Sequence, residues 1–199
     1  MGLELIWKQI IFQTYSQSKT KREPLMTKHL IDWKPDNVFW GYFDANTPPV
    51  LTVASGDEVV MNCLPACLPS DLPPDGSGVL SDHILAMEKH QSNRGAGPHM
   101  LTGPVFVEGA EAGDVLQVDI LEAKPAQNWA FTAILPLLGA LPDEFTNYEH
   151  LHISVDRDAM TCTLPWGLTL PLDPFFGIMA VAPPKEWGRI GTPEPRAFG

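Results

Sequence analysis

Four short stretches of this sequence carry side chains able to do chemistry. In GAGPHMLTGPV (residues 95–105), His99 stands between a Gly-rich approach and a Thr-Gly-Pro turn. An imidazole there can ligate a metal ion or carry a proton, and Gly95 and Gly97 allow the backbone to approach a ligand closely. In VEGAEAGD (residues 107–114), Glu108 and Glu111 flank Gly109. Two carboxylates so spaced can hold a cation or act as a general base. In HLHISVDR (residues 150–157), His150 and His152 are two apart, which places them on one face of a strand, with Asp156 nearby. The stretch FWGYFD (residues 39–44) joins Trp40, Tyr42, Phe43 and Asp44 in an aromatic-acidic cluster able to wall a pocket.

Each has a structural reading beside the chemical one. A His in a turn is more often a hydrogen-bonded structural residue than a ligand, and two Glu in a Gly-rich turn are more often a solvated acidic loop. The His150–His152 pair resembles a cupin metal motif but lacks its glycines. Trp40 and its neighbours are by default core. Asp57 and Asp114 hold equivalent places in two Gly-Asp turns, where an Asp usually bonds its own backbone. Three cysteines, Cys63, Cys67 and Cys162, are an odd count. They fit reduced thiols of a cytoplasmic protein better than a disulfide framework, and buried packing better than a nucleophile. No phosphate loop, GxSxG, HExxH or dinucleotide fingerprint occurs.

The elements that must position these residues are mostly strands. VLTVASGDEVVMN (residues 50–62) reads as strand, turn, strand, and GPVFVEGAEAGDVLQVDILEA (residues 103–123) repeats that skeleton. In the second copy Leu116, Val118 and Ile120 fall on one face, opposite Gln117 and Asp119. Residues 150–157 alternate as a strand. Residues 161–172 suggest two short strands around Pro165-Trp166-Gly167, and FFGIMAVAPP (residues 175–184) a buried strand closed by a double Pro. SDHILAMEKHQ is the one helix candidate, with Ser81 as N-cap and with His83 and His90 on its surface. The fold class expected is mainly β: a sandwich-like domain of short strands with one short helix.

Composition agrees. The 199 residues include 20 Pro and 16 Gly, which disfavours a helical bundle, while 44% apolar content is enough for a core. A formal charge of −11 without a basic stripe argues against nucleic-acid binding. Residues 1–25 differ: Lys8, Lys19, Lys21 and Arg22 against Glu4 and Glu23 give +2, leaving −13 for the remainder. The apolar start is too short to span a bilayer, does not read as a signal peptide, and carries Ile6 where a myristoylation pattern needs Ser or Thr. No membrane role is expected. Residues 1–25 are expected to be a foreign or poorly ordered arm, Met26 being a possible alternative start, and residues 26–199 the β domain.

Three segments together resemble the acetamidase/formamidase family: FWGYFDANTPPVLTVASGDEV, GPHMLTGPVFVEGAEAGDVLQVDIL and PLDPFFGIMAVAPPKEWGRI. They lie in order, and the likeness runs from about His29 to the last residue. It implies a mainly-β fold and an amide hydrolase releasing ammonia from short linear amides of the formamide and acetamide class. It also implies a divalent metal, zinc or calcium, as a possible helper, and a homo-oligomer for full-length members. On this reading His99 is a catalytic residue and a metal ligand, Glu108 the carboxylate that orients or acts as base, and Glu111 the second choice. Trp40, Asp44 and Thr102 are the candidates for substrate binding. NCLPACLP (residues 62–69) departs from the acidic pattern of many members. The chain stops at residues 195–199, before the family's Gly-Gly-Asn-x-Asp segment and a later segment supplying His, Gln and Glu. A C-terminally truncated, inactive or impaired hydrolase is therefore expected. The reading from another class is a non-catalytic β-sandwich binding module or hydrolase remnant.

Overall fold

The structure is a computed structural model that describes residues 7–15, 26–65 and 67–192. In chain order its strands are β1 (Trp7–Tyr15), β2 (Lys28–Ile31), β3 (Val38–Trp40), β4 (Tyr42–Phe43), β5 (Leu51–Val53), β6 (Glu58–Asn62), β7 (Met100–Thr102) and β8 (Val105–Val107). They continue as β9 (Val115–Lys124), β10 (Trp129–Ile134), β11 (Glu149–Asp156), β12 (Thr161–Thr163), β13 (Thr169–Pro171) and β14 (Ile190–Gly191). The single α-helix among the described residues is α1 (Ser81–Gln91). The expected mainly-β class of short strands with one short helix is the class observed.

One four-stranded sheet runs β2-β6-β1-β9 and another β10-β11-β12-β13. Three two-stranded ladders, β3-β7, β5-β8 and β14-β4, complete the arrangement. The repeat legible in the sequence has a geometric counterpart. Its two first strands, β5 and β8, pair in parallel with Leu51 opposite Val105 and Val53 opposite Val107. Its two turns close with the same pair of bonds. The amide of Asp57 donates to the Ala54 carbonyl at 3.1 Å, and the amide of Ala54 donates back to Asp57 Oδ2 at 2.9 Å. Asp114 and Glu111 repeat this at 3.1 and 3.0 Å. Both Asp residues therefore act on their own turns, as Asp in such a position does.

β1 lies inside the segment that composition sets apart. It pairs antiparallel with β6 from Trp7 opposite Asn62 to Ile11 opposite Glu58, and with β9 along its whole length. Between them these two ladders satisfy backbone groups that β6 and β9 would otherwise leave as open edges.

Three apolar clusters form the core. Val38, Trp40, Met87, Met100 and Trp129 belong to the first, with α1 packed on it. Ile31, Val53, Val59, Met61 and Val107 make the second, and Ala130, Ile153, Val155 and Cys162 the third. Two expectations need correction here. Residues 175–184 form no strand. Phe175, Met179 and Val181 are exposed while Phe176, Ile178 and Ala180 are half-buried, so the alternation of a strand is present, but among the described residues no ladder joins it to a neighbour. The second concerns α1. His83, Ala86 and Met87 form its buried i, i+3, i+4 face, so His83 is a core residue, not a surface one. His83 Nε2 donates to the Pro65 carbonyl at 2.8 Å, and its ring stacks on Trp129. His90 is also engaged, through Nε2 donating to the Pro35 carbonyl at 2.6 Å, and Lys89 pairs with Asp36. The N-cap position falls on Leu80 rather than Ser81.

Candidate functional site

A cavity of about 720 Å³ opens where the repeat units meet the residue 176–182 segment. Phe39, Met61, Leu101, Val105, Val118 and Phe176 give it apolar walls, and Asp44, Thr102, Glu111, Asp114 and Gln127 bring polar groups to it. A concave apolar space with few polar groups is the usual form of a small-molecule site. The cavity owes its position to the repeat: β8 and β9 supply one wall, and the Glu111–Asp114 turn holds both carboxylates at its edge.

The residues singled out in the sequence divide around this space. Asp44, Thr102 and Glu111 line it; Trp40, His99 and Glu108 do not. Asp44 Oδ1 accepts from the Asn46 amide at 2.8 Å and from Asn46 Nδ2 at 3.0 Å, so part of its carboxylate holds a turn. Thr102 is half-buried, with Oγ1 3.5 Å from the Asn62 carbonyl, at the limit of a hydrogen bond. The Glu111 side chain is exposed at the cavity edge. Glu108 uses its backbone amide to extend the β5-β8 ladder onto the Val53 carbonyl at 2.8 Å, and its side chain is exposed. Trp40 is only 2% exposed, donates from Nε1 to the Pro98 carbonyl at 3.3 Å, and lies under the Arg94 guanidinium.

His99 belongs to a different structure. It is half-buried, and Nδ1 bonds Thr192 Oγ1 at 2.8 Å. The Gly41 amide donates to the His99 carbonyl, while the amides of Gly97 and Thr192 both donate to the Gly41 carbonyl. The bare face of Gly97 is filled by Thr192, and Gly41, at φ +83°, is pressed against the Gly95 and Gly97 carbonyls. The glycines before His99 thus let the chain approach itself: a crossing of backbones that His99 and Thr192 pin.

His150 and His152 are brought together, but with Asp71 and not with Asp156. Asp71 is buried in the Pro-rich loop between β6 and α1, and its Oδ1 lies 3.4 Å from His150 Nε2 and accepts from the Tyr148 hydroxyl at 3.3 Å. His152 Nε2 donates to the Leu72 carbonyl at 2.9 Å. Burial pushes the His150 imidazole down from its ordinary value and His152 adds to this, with Asp71 opposing. Asp156 turns away and accepts from the amides of Asp158 and Ala159. These bonds fasten the loop to β11. Cys67, beside His83 at 3.6 Å, is buried, and burial raises its thiol to about 12, which removes it as a nucleophile near neutral pH.

Among the described residues, no three His, Cys, Asp or Glu side chains converge in a way that could hold a metal ion. Sequence reasoning also missed Gln127. It is 3% exposed and reaches the cavity wall, and both atoms of its carboxamide are buried with no hydrogen-bond partner among the described residues. A buried donor or acceptor left unpaired costs about 1–3 kcal/mol. Nothing in KPAQNW (residues 124–129) marks this residue, because satisfaction of a polar group is a property of the folded surroundings.

A mainly-β protein with an apolar cavity edged by carboxylates and one unpaired carboxamide is the class that fold and site define. The family model of the acetamidase/formamidase family matches residues 33–190, and the chain belongs to that family. A search of curated proteins finds no match. Among solved structures the chain is similar to a crystal structure of an acetamidase from Bacillus halodurans, at 23% identity and a TM-score of 0.62. That alignment covers 88% of this chain and 51% of the acetamidase, so the chain spans about half the length of that relative. At this identity the likeness is one of fold.

Proposed function

We propose that this chain is an amide hydrolase acting on short linear amides of the formamide and acetamide class, releasing a carboxylate and ammonia. The observation that carries the reading is membership of the acetamidase/formamidase family over residues 33–190, a span that contains every residue of the cavity. The cavity supports it in kind: it is concave, largely apolar, and offers carboxylates at one edge.

Hydrolysis of an amide needs water delivered to the carbonyl carbon and a proton delivered to the departing nitrogen. Glu111 has the better place for the first task. Its carboxylate stands at the cavity edge, and the bond from its own amide to Asp114 fixes the turn that carries it. Glu108, the first choice on the family resemblance, stands outside the walls. Thr102 and Asp44 are placed to orient the amide group. His99 acts at one remove, by holding the crossing that positions β7 and with it Thr102.

The test is ammonia release from formamide and acetamide by the purified 199-residue chain, with and without added zinc or calcium. Any turnover is expected to be weak, in keeping with the impaired activity expected from the sequence, with kcat reduced at least about a hundredfold further in Glu111→Gln, the scale of general-base catalysis, and little changed in Glu108→Gln. Equal loss in both variants would return the role to Glu108. Absence of amide turnover with either ion would support the binding-module reading.

A further inference from the structure

We infer that Gln127 is the residue that reads the amide group of the ligand in the cavity. This rests on the amide-hydrolase reading and names a recognition element of the same site. Gln127 sits in the turn between β9 and β10, after buried Ala126 and two residues before buried Trp129. Its side chain is nine-tenths buried at the cavity wall.

Most other deeply buried polar side chains of the molecule have work. Asp57 accepts from Thr27, Ala54 and His29; Asp71 accepts from Leu68 and Tyr148; His83 donates to Pro65. Glu58, Asn62 and His83 each leave one atom without a hydrogen-bond partner and His150 leaves both ring nitrogens so, but none of these four lines the cavity; Gln127 does, and it leaves a donor and an acceptor unpaired on one planar group. The last torsion of a Gln is soft, so the carboxamide can turn at the wall without a change of backbone.

A primary amide is the chemical complement of that group. Its N–H donates to Oε1 while its carbonyl accepts from Nε2, giving two parallel bonds between two planar groups. A carboxylate product can only accept. It would satisfy Nε2 and set a negative oxygen against Oε1, in a cavity that also carries the carboxylates of Glu111 and Asp114. The same residue would therefore favour the amide over the acid that hydrolysis makes. A site built to pair a polar group discriminates strongly against the analogue that lacks it.

Acetamide and acetate are titrated against the full chain by ligand-observed NMR, with Gln127→Met and Gln127→Glu as variants of nearly unchanged side-chain length. The wild type is expected to bind acetamide at least tenfold more tightly than acetate. Both variants are expected to lose that preference by tenfold or more, while thermal unfolding shows Gln127→Met folded and no less stable. Wild-type affinity for acetamide in both variants would overturn the inference and leave the amide reading intact. Failure of the wild type itself to bind acetamide would overturn the amide reading and the role of Gln127 together.

Discussion

At the scale of single residues, equal chemistry is put to unequal use by burial. Asp57 and Asp114 close equivalent turns, but Asp57 is 5% exposed and gathers two further bonds, from the Thr27 amide and from His29 Nε2, both at 3.0 Å. Burial by itself raises its carboxyl, yet the bonds from Thr27, Ala54 and His29 outweigh that and hold it below the usual range. Asp57→Asn should therefore cost about 2 kcal/mol of folding stability by urea denaturation, on the scale of a buried charged hydrogen-bonding group, against less than about 0.5 kcal/mol for the more open Asp114→Asn. The sign with pH follows. A carboxyl lower in the folded than in the unfolded chain contributes fully above the unfolded value, and the contribution is lost as pH falls through the folded one. The wild type should thus lose stability more steeply than Asp57→Asn below about pH 4. Cysteine reactivity divides in the same way. Cys63 lines the cavity whereas Cys67 is sealed with its thiol raised, so mass spectrometry after brief alkylation at pH 8 should find label on Cys63 well before Cys67.

At the scale of elements, what was legible in the sequence is what repeats or alternates. The doubled strand-turn-strand skeleton, the β12-β13 pair and the helix at residues 81–91 all follow from local pattern, because turn chemistry and side-chain period are written in neighbouring residues. Residues 175–184 show where that stops: the alternation is real, but a strand also needs a partner edge, and no local residue encodes one. The face of β9 makes the same point. Leu116, Val118 and Ile120 share it as expected, yet only Val118 packs into the core and Ile120 is 47% exposed. Single residues show the same limit. His99 drew notice through its glycines, whose purpose is a backbone crossing, while Gln127 and Asp71 gave no signal because their partners, or lack of them, come from distant elements. β1 is the element where composition and pairing diverge most. Ile10 lies within both ladders of β1, so Ile10→Pro removes a backbone donor from the middle of the sheet. A loss of about 2 kcal/mol or more is expected, read from the midpoint of chemical denaturation; an unchanged midpoint would mean that β6 and β9 are stable without β1.

At the scale of the whole molecule, the Pro-rich loop between β6 and α1 is held by histidines from two different elements. His83 on α1 fastens the helix to Pro65, while His150 on β11 lies against Asp71 of the same Pro-rich loop. In both, burial is the largest influence and pushes the imidazole below its ordinary value. The sign is the reverse of a histidine that gains a partner. Each stays neutral in the folded chain while the unfolded chain takes up its proton near pH 6.5, so stability is full above that pH and declines as pH falls toward the folded values. Net charge pulls the other way. Protonating all six histidines would take the formal charge from −11 to −5, easing the self-repulsion of an acidic surface. That relief is spread over exposed charges and screened within about 8 Å in physiological salt, whereas the buried rings are screened far less. The histidine effect should win: the melting temperature should drop between pH 7 and pH 5, and the double variant His83→Gln/His150→Gln should flatten the dependence over that range. Repeating the scan at low and high salt separates the two influences, since only the surface part responds to ionic strength. A melting temperature that rises on acidification in the wild type would show that charge relief dominates and that the loop is not latched by neutral histidines.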